Sequence, residues 1–107
     1  MNKSNLFENI PPRAQTEFFD IIAENKHIKI ERIVSAGHSS APSDWYNQEQ
    51  NEWVVLLSGS ATLSFEKADD IQLQPGDHIL IPAHTKHRLK HTSPDEETIW
   101  IAVHFKS

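Results

Sequence analysis

The sequence predicts an all-β fold, either a β-sandwich or a closed barrel. Three observations lead there. From His27 onward the apolar residues recur with period two, the periodic segments are short, and turn residues separate them at close intervals with almost no helical spacing. Closing such a sheet on itself also removes exposed strand edges.

The elements run in order along the chain. Residues 1–16 are a polar lead-in, where Pro11 and Pro12 block helix and strand alike. Phe18, Phe19, Ile21 and Ile22 have a spacing that suits a short helix or a buried strand. Ile28, Ile30, Ile33 and Val34 predict a strand that shifts face near its end. Residues 35–51, from Ser35 through Ser39, Ser40, Pro42 and Ser43 to Gln50, form a long polar loop, and loops of that length usually serve function. Residues 52–57 and 61–65 flank Ser58-Gly59-Ser60, a hairpin signal. A short strand at 71–73 precedes Gln74-Pro75-Gly76-Asp77, a turn with proline and glycine in the expected order. Strands at 78–81, 86–91 and 98–105 complete the set, with 94–97 as the last turn. Residues 1–26 are thus a lead-in and first short element, and 27–107 a barrel, within one domain overall.

Composition narrows the function classes. The 107 residues carry 23% charged and 37% hydrophobic side chains, an ordinary globular balance. A chain this short leaves much surface uncovered, which predicts a homodimer. The net charge of -5 argues against a nucleic-acid or anionic membrane partner, which would demand clustered Lys and Arg. Without cysteine there are no disulfides, thiolate metal sites or cysteine nucleophiles. Residues 1–11 lack the apolar region of a signal peptide, and no run approaches the ~20 apolar residues of a membrane span, so a cytoplasmic location is expected. No G-x-S-x-G segment, phosphate-binding glycine loop or heptad repeat occurs. The unusual feature is seven histidines, four of them (His78, His84, His87 and His91) in one short segment.

Two spacings within residues 37–91 are specific. Glu52 is followed by six residues and Gly59, and Gly76 by five residues and Pro82, with His87 five beyond. Two of the chain's three glycines occupy these positions. The pattern resembles the two motifs of the cupin superfamily, in particular small single-domain cupin-2 proteins of uncharacterised function. That resemblance implies an all-β, single-domain cupin, a double-stranded β-helix or jelly-roll-like barrel, with the motifs on adjacent strands around a pocket. It also implies a metal site, of whose four usual ligands this chain keeps Glu52 and His87. The histidine pair expected before Glu52 is absent, since Trp45, Tyr46, Asn47 and Gln48 stand there; His84 replaces the second-motif glycine, and His91 its asparagine.

Strand alternation assigns faces. If Glu52 points inward, Val54 and Leu56 do too; on 86–91, His87, Leu89 and His91 share one face, while Lys86, Arg88 and Lys90 suit solvent. His87 and His91 lie about 13 Å apart along a strand, too far to share a metal, so His91 is read as an acid/base group deeper in the barrel. Glu52 and His87, with Gln48 adding a neutral oxygen, form a candidate site for Mn, Fe, Ni or Zn. Tyr46 could add a phenol. Trp45 and Tyr46 are candidate pocket-lining aromatics, and His84 a rim residue touching a ligand. Trp53 and Trp100 are read as core or subunit interface, His78 as a surface or loop residue, and His104 as a packing or surface residue. Three functions compete: a metal-dependent enzyme or binder acting on a small polar molecule, a metal-free ligand-binding or sensing barrel, and a metal-free acid/base enzyme using Glu52 with His87 or His91.

Overall fold

Eight strands build the molecule: β1 (Phe18–Glu24), β2 (Ile28–Ser35), β3 (Asn51–Ser58), β4 (Ala61–Phe65), β5 (Ala68–Leu73), β6 (His78–Ile81), β7 (His87–Thr92) and β8 (Thr98–Phe105). They are seen in a computed structural model that describes residues 1–11, 17–37, 39 and 45–106. Pro12, and Ser40, Pro42 and Ser43 of the expected polar loop, lie outside the described residues. All pairings are antiparallel. One sheet has the order β1-β2-β8-β3-β6, the other β5-β4-β7. Leu56, Ala61, Leu63, Leu73, Ile81, Leu89 and Trp100 fill the core between them. The described residues contain no helix, and so none long and apolar enough to cross a membrane.

Four expectations change in three dimensions. Residues 18–24 are a strand, but not a buried one: Phe19 and Ile21 are 52% and 53% exposed, because β1 is the edge of its sheet. The strand at 28–35 does not shift face. It pairs with β8 without interruption from Ile28↔Phe105 to Ser35↔Thr98, so Ile28, Ile30 and Val34 lie on one face and Ile33 on the other.

Ser58-Gly59-Ser60 is not a hairpin turn, since β3 belongs to the larger sheet and β4 to the smaller. The chain crosses between sheets there, held against fully buried Thr98 by hydrogen bonds of 3.3 Å from the Ser60 N–H to Thr98 Oγ1 and 3.2 Å from that hydroxyl to the Ser60 carbonyl. Gly59 has φ +84°, and a Cβ on it would stand 2.6 Å from the Thr98 Cα, so only glycine fits. The turn at 74–77 makes the second crossing, with the Asp77 N–H bonded to the Gln74 carbonyl at 2.9 Å and Gly76 at φ +93°, a type II arrangement.

The fourth change concerns β7. Its register with β4 slips between Thr62↔His91 and Leu63↔Leu89, so Lys90 is an extra residue. This bulge reverses the alternation: Thr92 is buried and His91 is exposed.

Arg32, on the outward face of β2, is 5% exposed. Its guanidinium pairs with Asp20 at 3.0 Å and donates to the carbonyls of Leu6 at 3.1 Å and Glu8 at 2.7 Å, which ties the N-terminal segment across that face.

Candidate functional site

A cavity of about 120 Å³ opens between the sheets, with Val54, Leu63, Ile81, Leu89 and Trp100 on its apolar walls. Its polar groups include Glu31, Tyr46, Gln48, Glu52, His87 and His104. Each arrives there by strand alternation or by the pairing of neighbouring segments. Glu52 shares the inward face of β3 with Val54 and Leu56, all three buried, as the sequence predicts. His87 begins β7 and points inward with Leu89.

The segment before β3 is stitched to β7. The Tyr46 N–H donates to the His87 carbonyl at 2.7 Å, and the His87 N–H donates back at 3.1 Å. The Tyr46 ring then lies 5.7 Å from the His87 ring, with Phe65 at 6.2 Å from it. Further on, the Gln48 carbonyl accepts the His84 N–H at 2.8 Å, and Asn51 Oδ1 accepts the Ala83 N–H at 2.9 Å.

The His87 Nδ1–H donates to the Thr85 carbonyl at 2.8 Å, which fixes the ring and leaves Nε2 directed at Glu52 Oε1, 3.4 Å away. That gap exceeds the ~2.7–2.9 Å of a charge-assisted hydrogen bond. Glu52 Oε1 accordingly has no hydrogen-bond partner although it is buried, and neither has Gln48 Oε1. Burial of the His87 ring pushes its pKa down. The Glu52 carboxylate and the Thr85 carbonyl together outweigh burial and hold it above the ordinary value of 6.5.

A second carboxylate–imidazole pair lines the same cavity. His104 Nε2 bonds Glu31 Oε1 at 2.8 Å, with both side chains buried. The His104 bond holds the Glu31 carboxyl below its ordinary value of 4.5 against the opposing effect of burial, helped by Lys29 at 3.9 Å. His104 sits in register between Lys29 on β2 and Glu52 on β3. His104 and Gln48 also line an open recess beside the cavity, which Lys29 and Lys106 flank.

Of the residues singled out from sequence, the structure brings Glu52, His87, Gln48 and Tyr46 to the cavity. It does not bring His91, His84 or Trp45. His91 is turned outward by the β7 bulge, against the expectation that it faces the pocket. His84 is exposed with φ +63° and is tied to Gln48 through its backbone. Trp45 packs beneath the Arg88 guanidinium at 5.7 Å, on the far side of β7 from His87.

Sequence reading missed Glu31 and His104. The available signal was their place in the period-two pattern, with Glu31 beside Ile33 and His104 beside Trp100 and Ala102 on inward faces. Among the described residues, no three His, Cys, Asp or Glu side chains group closely enough to hold a metal ion.

Comparison with known proteins adds context. Residues 31–104 match the cupin domain family. A structure from Ralstonia eutropha JMP134, of a protein provisionally named a mannose-6-phosphate isomerase, is similar at 41% identity and a TM-score of 0.96, covering 100% of both chains. A cupin superfamily protein from Desulfitobacterium hafniense DCB-2 has 19% identity and a TM-score of 0.75 over 92% of this chain and 84% of its own. The DMSP lyase DddQ from Ruegeria pomeroyi DSS-3 has 16% identity and a TM-score of 0.71 over 85% of this chain and 47% of its own. At such identities the last two likenesses concern fold alone. No curated protein matches the chain.

Proposed function

This chain belongs to the cupin family, and on that premise we propose that Glu52, His87 and Gln48 hold a divalent cation at the cavity wall, where a small polar molecule is bound or transformed. The observation that carries the reading is the pair of buried acceptor oxygens, Glu52 Oε1 and Gln48 Oε1, left without hydrogen-bond donors. An orphaned buried acceptor is costly unless a cation or a ligand donor completes it. The 3.4 Å between Glu52 Oε1 and His87 Nε2 also suits the role, since it brings a carboxylate oxygen and an imidazole nitrogen close enough that both could hold one cation. The bond from His87 Nδ1–H to a backbone carbonyl is the usual support for an imidazole ligand.

One carboxylate, one imidazole and one amide suit Mn, Fe, Ni or Zn, at lower affinity than a three-histidine site. When bound, the cation supplies Lewis-acid polarisation of a ligand oxygen. The chain's own residues handle the proton. The bond of 2.8 Å between His104 Nε2 and Glu31 Oε1 fixes the ring and leaves Nδ1 as the nitrogen free to exchange a proton with a ligand. In this reading His104 takes the role first assigned to His91. The name of the Ralstonia protein suggests an isomerisation, in which a proton moves between adjacent carbons of a sugar phosphate. A ligand of that size exceeds the cavity of about 120 Å³ and would extend past Gln48 and His104 into the recess between Lys29 and Lys106.

A metal-free acid/base reading has its own observation in the raised pKa of His87, which keeps a proton on the Glu52–His87 pair. Elemental analysis of untagged protein, before and after incubation with Mn, Fe, Ni and Zn, separates the two. The metal reading expects near-stoichiometric cation in the wild type and in His91→Ala, and its loss in Glu52→Gln and His87→Ala. Wild-type protein that takes up none of the four ions overturns it and leaves the metal-free reading.

A further inference from the structure

We infer, on the reading of the cavity as a small-molecule site but independently of the cation, that the Trp100 indole N–H is a ligand donor and that the cavity takes the neutral, carbonyl-bearing end of a small hydroxy compound. Among the described residues, four buried side-chain polar atoms lack a hydrogen-bond partner: Glu52 Oε1, Gln48 Oε1, Trp100 Nε1 and Arg88 Nε. Three of the four belong to residues that line this one cavity, and of those three only Trp100 offers a proton. Buried N–H groups are nearly always paired, so an unpaired one on a cavity wall marks a place for an acceptor.

Trp100 is 4% exposed, and its ring belongs to the core cluster with Leu56, Leu63 and Leu89. On β8 it stands in register with Leu56 of β3 and Ile33 of β2, four residues and about 13 Å of strand from His104. His104 and Gln48 border the open recess, so their end of the cavity is the mouth, whereas fully buried Leu56 marks Trp100 as the inner end. An entering molecule meets the acceptors of Gln48 and Glu52 first and the Trp100 donor last, with Val54, Leu63 and Leu89 around its carbon atoms. Since a cavity of about 150 Å³ takes a six-carbon ring, this one of about 120 Å³ takes roughly five non-hydrogen atoms.

Charge decides what the inner end of the ligand carries. Among the described residues the lining has no Lys or Arg. Its charged side chains are Glu17, Glu31 and Glu52 against the imidazoles of His87 and His104, so the lining stays negative even with both rings protonated. Both imidazoles also stand against carboxylates already, His104 against Glu31 at 2.8 Å and His87 against Glu52 at 3.4 Å. A carboxylate or phosphate buried at Trp100 would find no counter-charge, which is costly, whereas a carbonyl oxygen accepts the N–H with no charge to bury. A hydroxyl nearer the mouth donates to Glu52 Oε1 or Gln48 Oε1 when no cation holds them. An anionic group on a longer ligand stays outside, beside Lys29 and Lys106.

Hydroxyacetone, which has a carbonyl, a hydroxyl and no charge, is the probe, and glycolate is its anionic isostere. Indole 1H–15N spectra of untagged, chelator-treated protein contain three tryptophan N–H signals. The Trp100 signal is the one that survives in both Trp45→Phe and Trp53→Phe, whose side chains do not line the cavity. Hydroxyacetone is expected to move it downfield, saturably, in the millimolar range that suits so small a molecule. Trp100→Phe keeps an aromatic ring and removes the donor. It is expected to raise the dissociation constant about 10-fold or more, followed on the backbone amides of Val54 and Leu89. Glycolate is expected to bind wild type about 10-fold more weakly than hydroxyacetone. A Trp100 signal that hydroxyacetone leaves unmoved overturns the assignment and gives the donor to a buried water; this titration needs no variant of Trp100 to fold. An unchanged dissociation constant in folded Trp100→Phe overturns it as well. Glycolate bound as tightly as hydroxyacetone overturns the neutral class in favour of an anion. Cation uptake with an unmoved signal sinks this donor alone, and a moved signal in protein that takes up no cation sinks the cation alone.

Discussion

Replacing Glu52 with glutamine removes the charge beside His87 and keeps the shape. At 3.4 Å and an effective dielectric of about 20, the carboxylate–imidazolium attraction is about 5 kcal/mol before desolvation. Both side chains are buried, and taking two charges out of water costs several kcal/mol, so the net stabilisation is on the order of 1 kcal/mol. Its sign comes from the raised His87 pKa. The stabilisation is fully present below pH 6.5, the ordinary value, and is lost as pH rises through the higher folded-state value. In Glu52→Gln only the Thr85 carbonyl still opposes burial, the largest influence on the ring. His87 should then titrate below 6.5, and the alkaline loss of stability should disappear. Imidazole 1H–15N spectra of chelator-treated protein across the neutral range report the midpoint directly, and denaturant unfolding at either end of that range reports the stability. A wild-type midpoint at or below 6.5, or one that the substitution does not move, refutes the reasoning.

Two further outcomes test the frame around the site. Gly59→Ala combines a left-handed backbone with a contact of 2.6 Å to the Thr98 backbone, so a loss of about 3 kcal/mol is expected, a fall in Tm of roughly 10–20 °C. Gly76→Ala, with φ +93° but nothing within 4 Å of a new Cβ, should lose only about 1 kcal/mol; equal losses in thermal unfolding would show that the Thr98 contact has no energetic role. Glu31 is held below 4.5 by His104, so the stability it contributes is present above that value and lost as pH falls through its depressed folded-state value. Glu31→Gln should cost about 1.5–3 kcal/mol at neutral pH and flatten the acid limb of the stability curve, a difference that urea titrations at several pH values would reveal.

The all-β class and the strand at 98–105 were legible in one dimension, and the Glu52–His87 pair was legible through a motif spacing that resembles the cupin pattern. Each rests on a local quantity: side chains alternate with period two, turns need glycine and proline at set offsets, and motif spacing is counted along the chain. The features beyond that reach depend on registration between segments distant in sequence. One extra residue at Lys90 turned His91 outward, because a single insertion reverses every later side chain on a strand. Glu31 and His104, 73 residues apart, met because β2 and β8 align without a slip. Ser58-Gly59-Ser60 has the composition of a hairpin turn, yet it carries the chain between sheets, since the destination of the next strand is set by which strands bury each other's apolar faces. The apolar residues on both faces of β2 looked like a shift of face, and only the pairing showed a straight strand with two faces to cover.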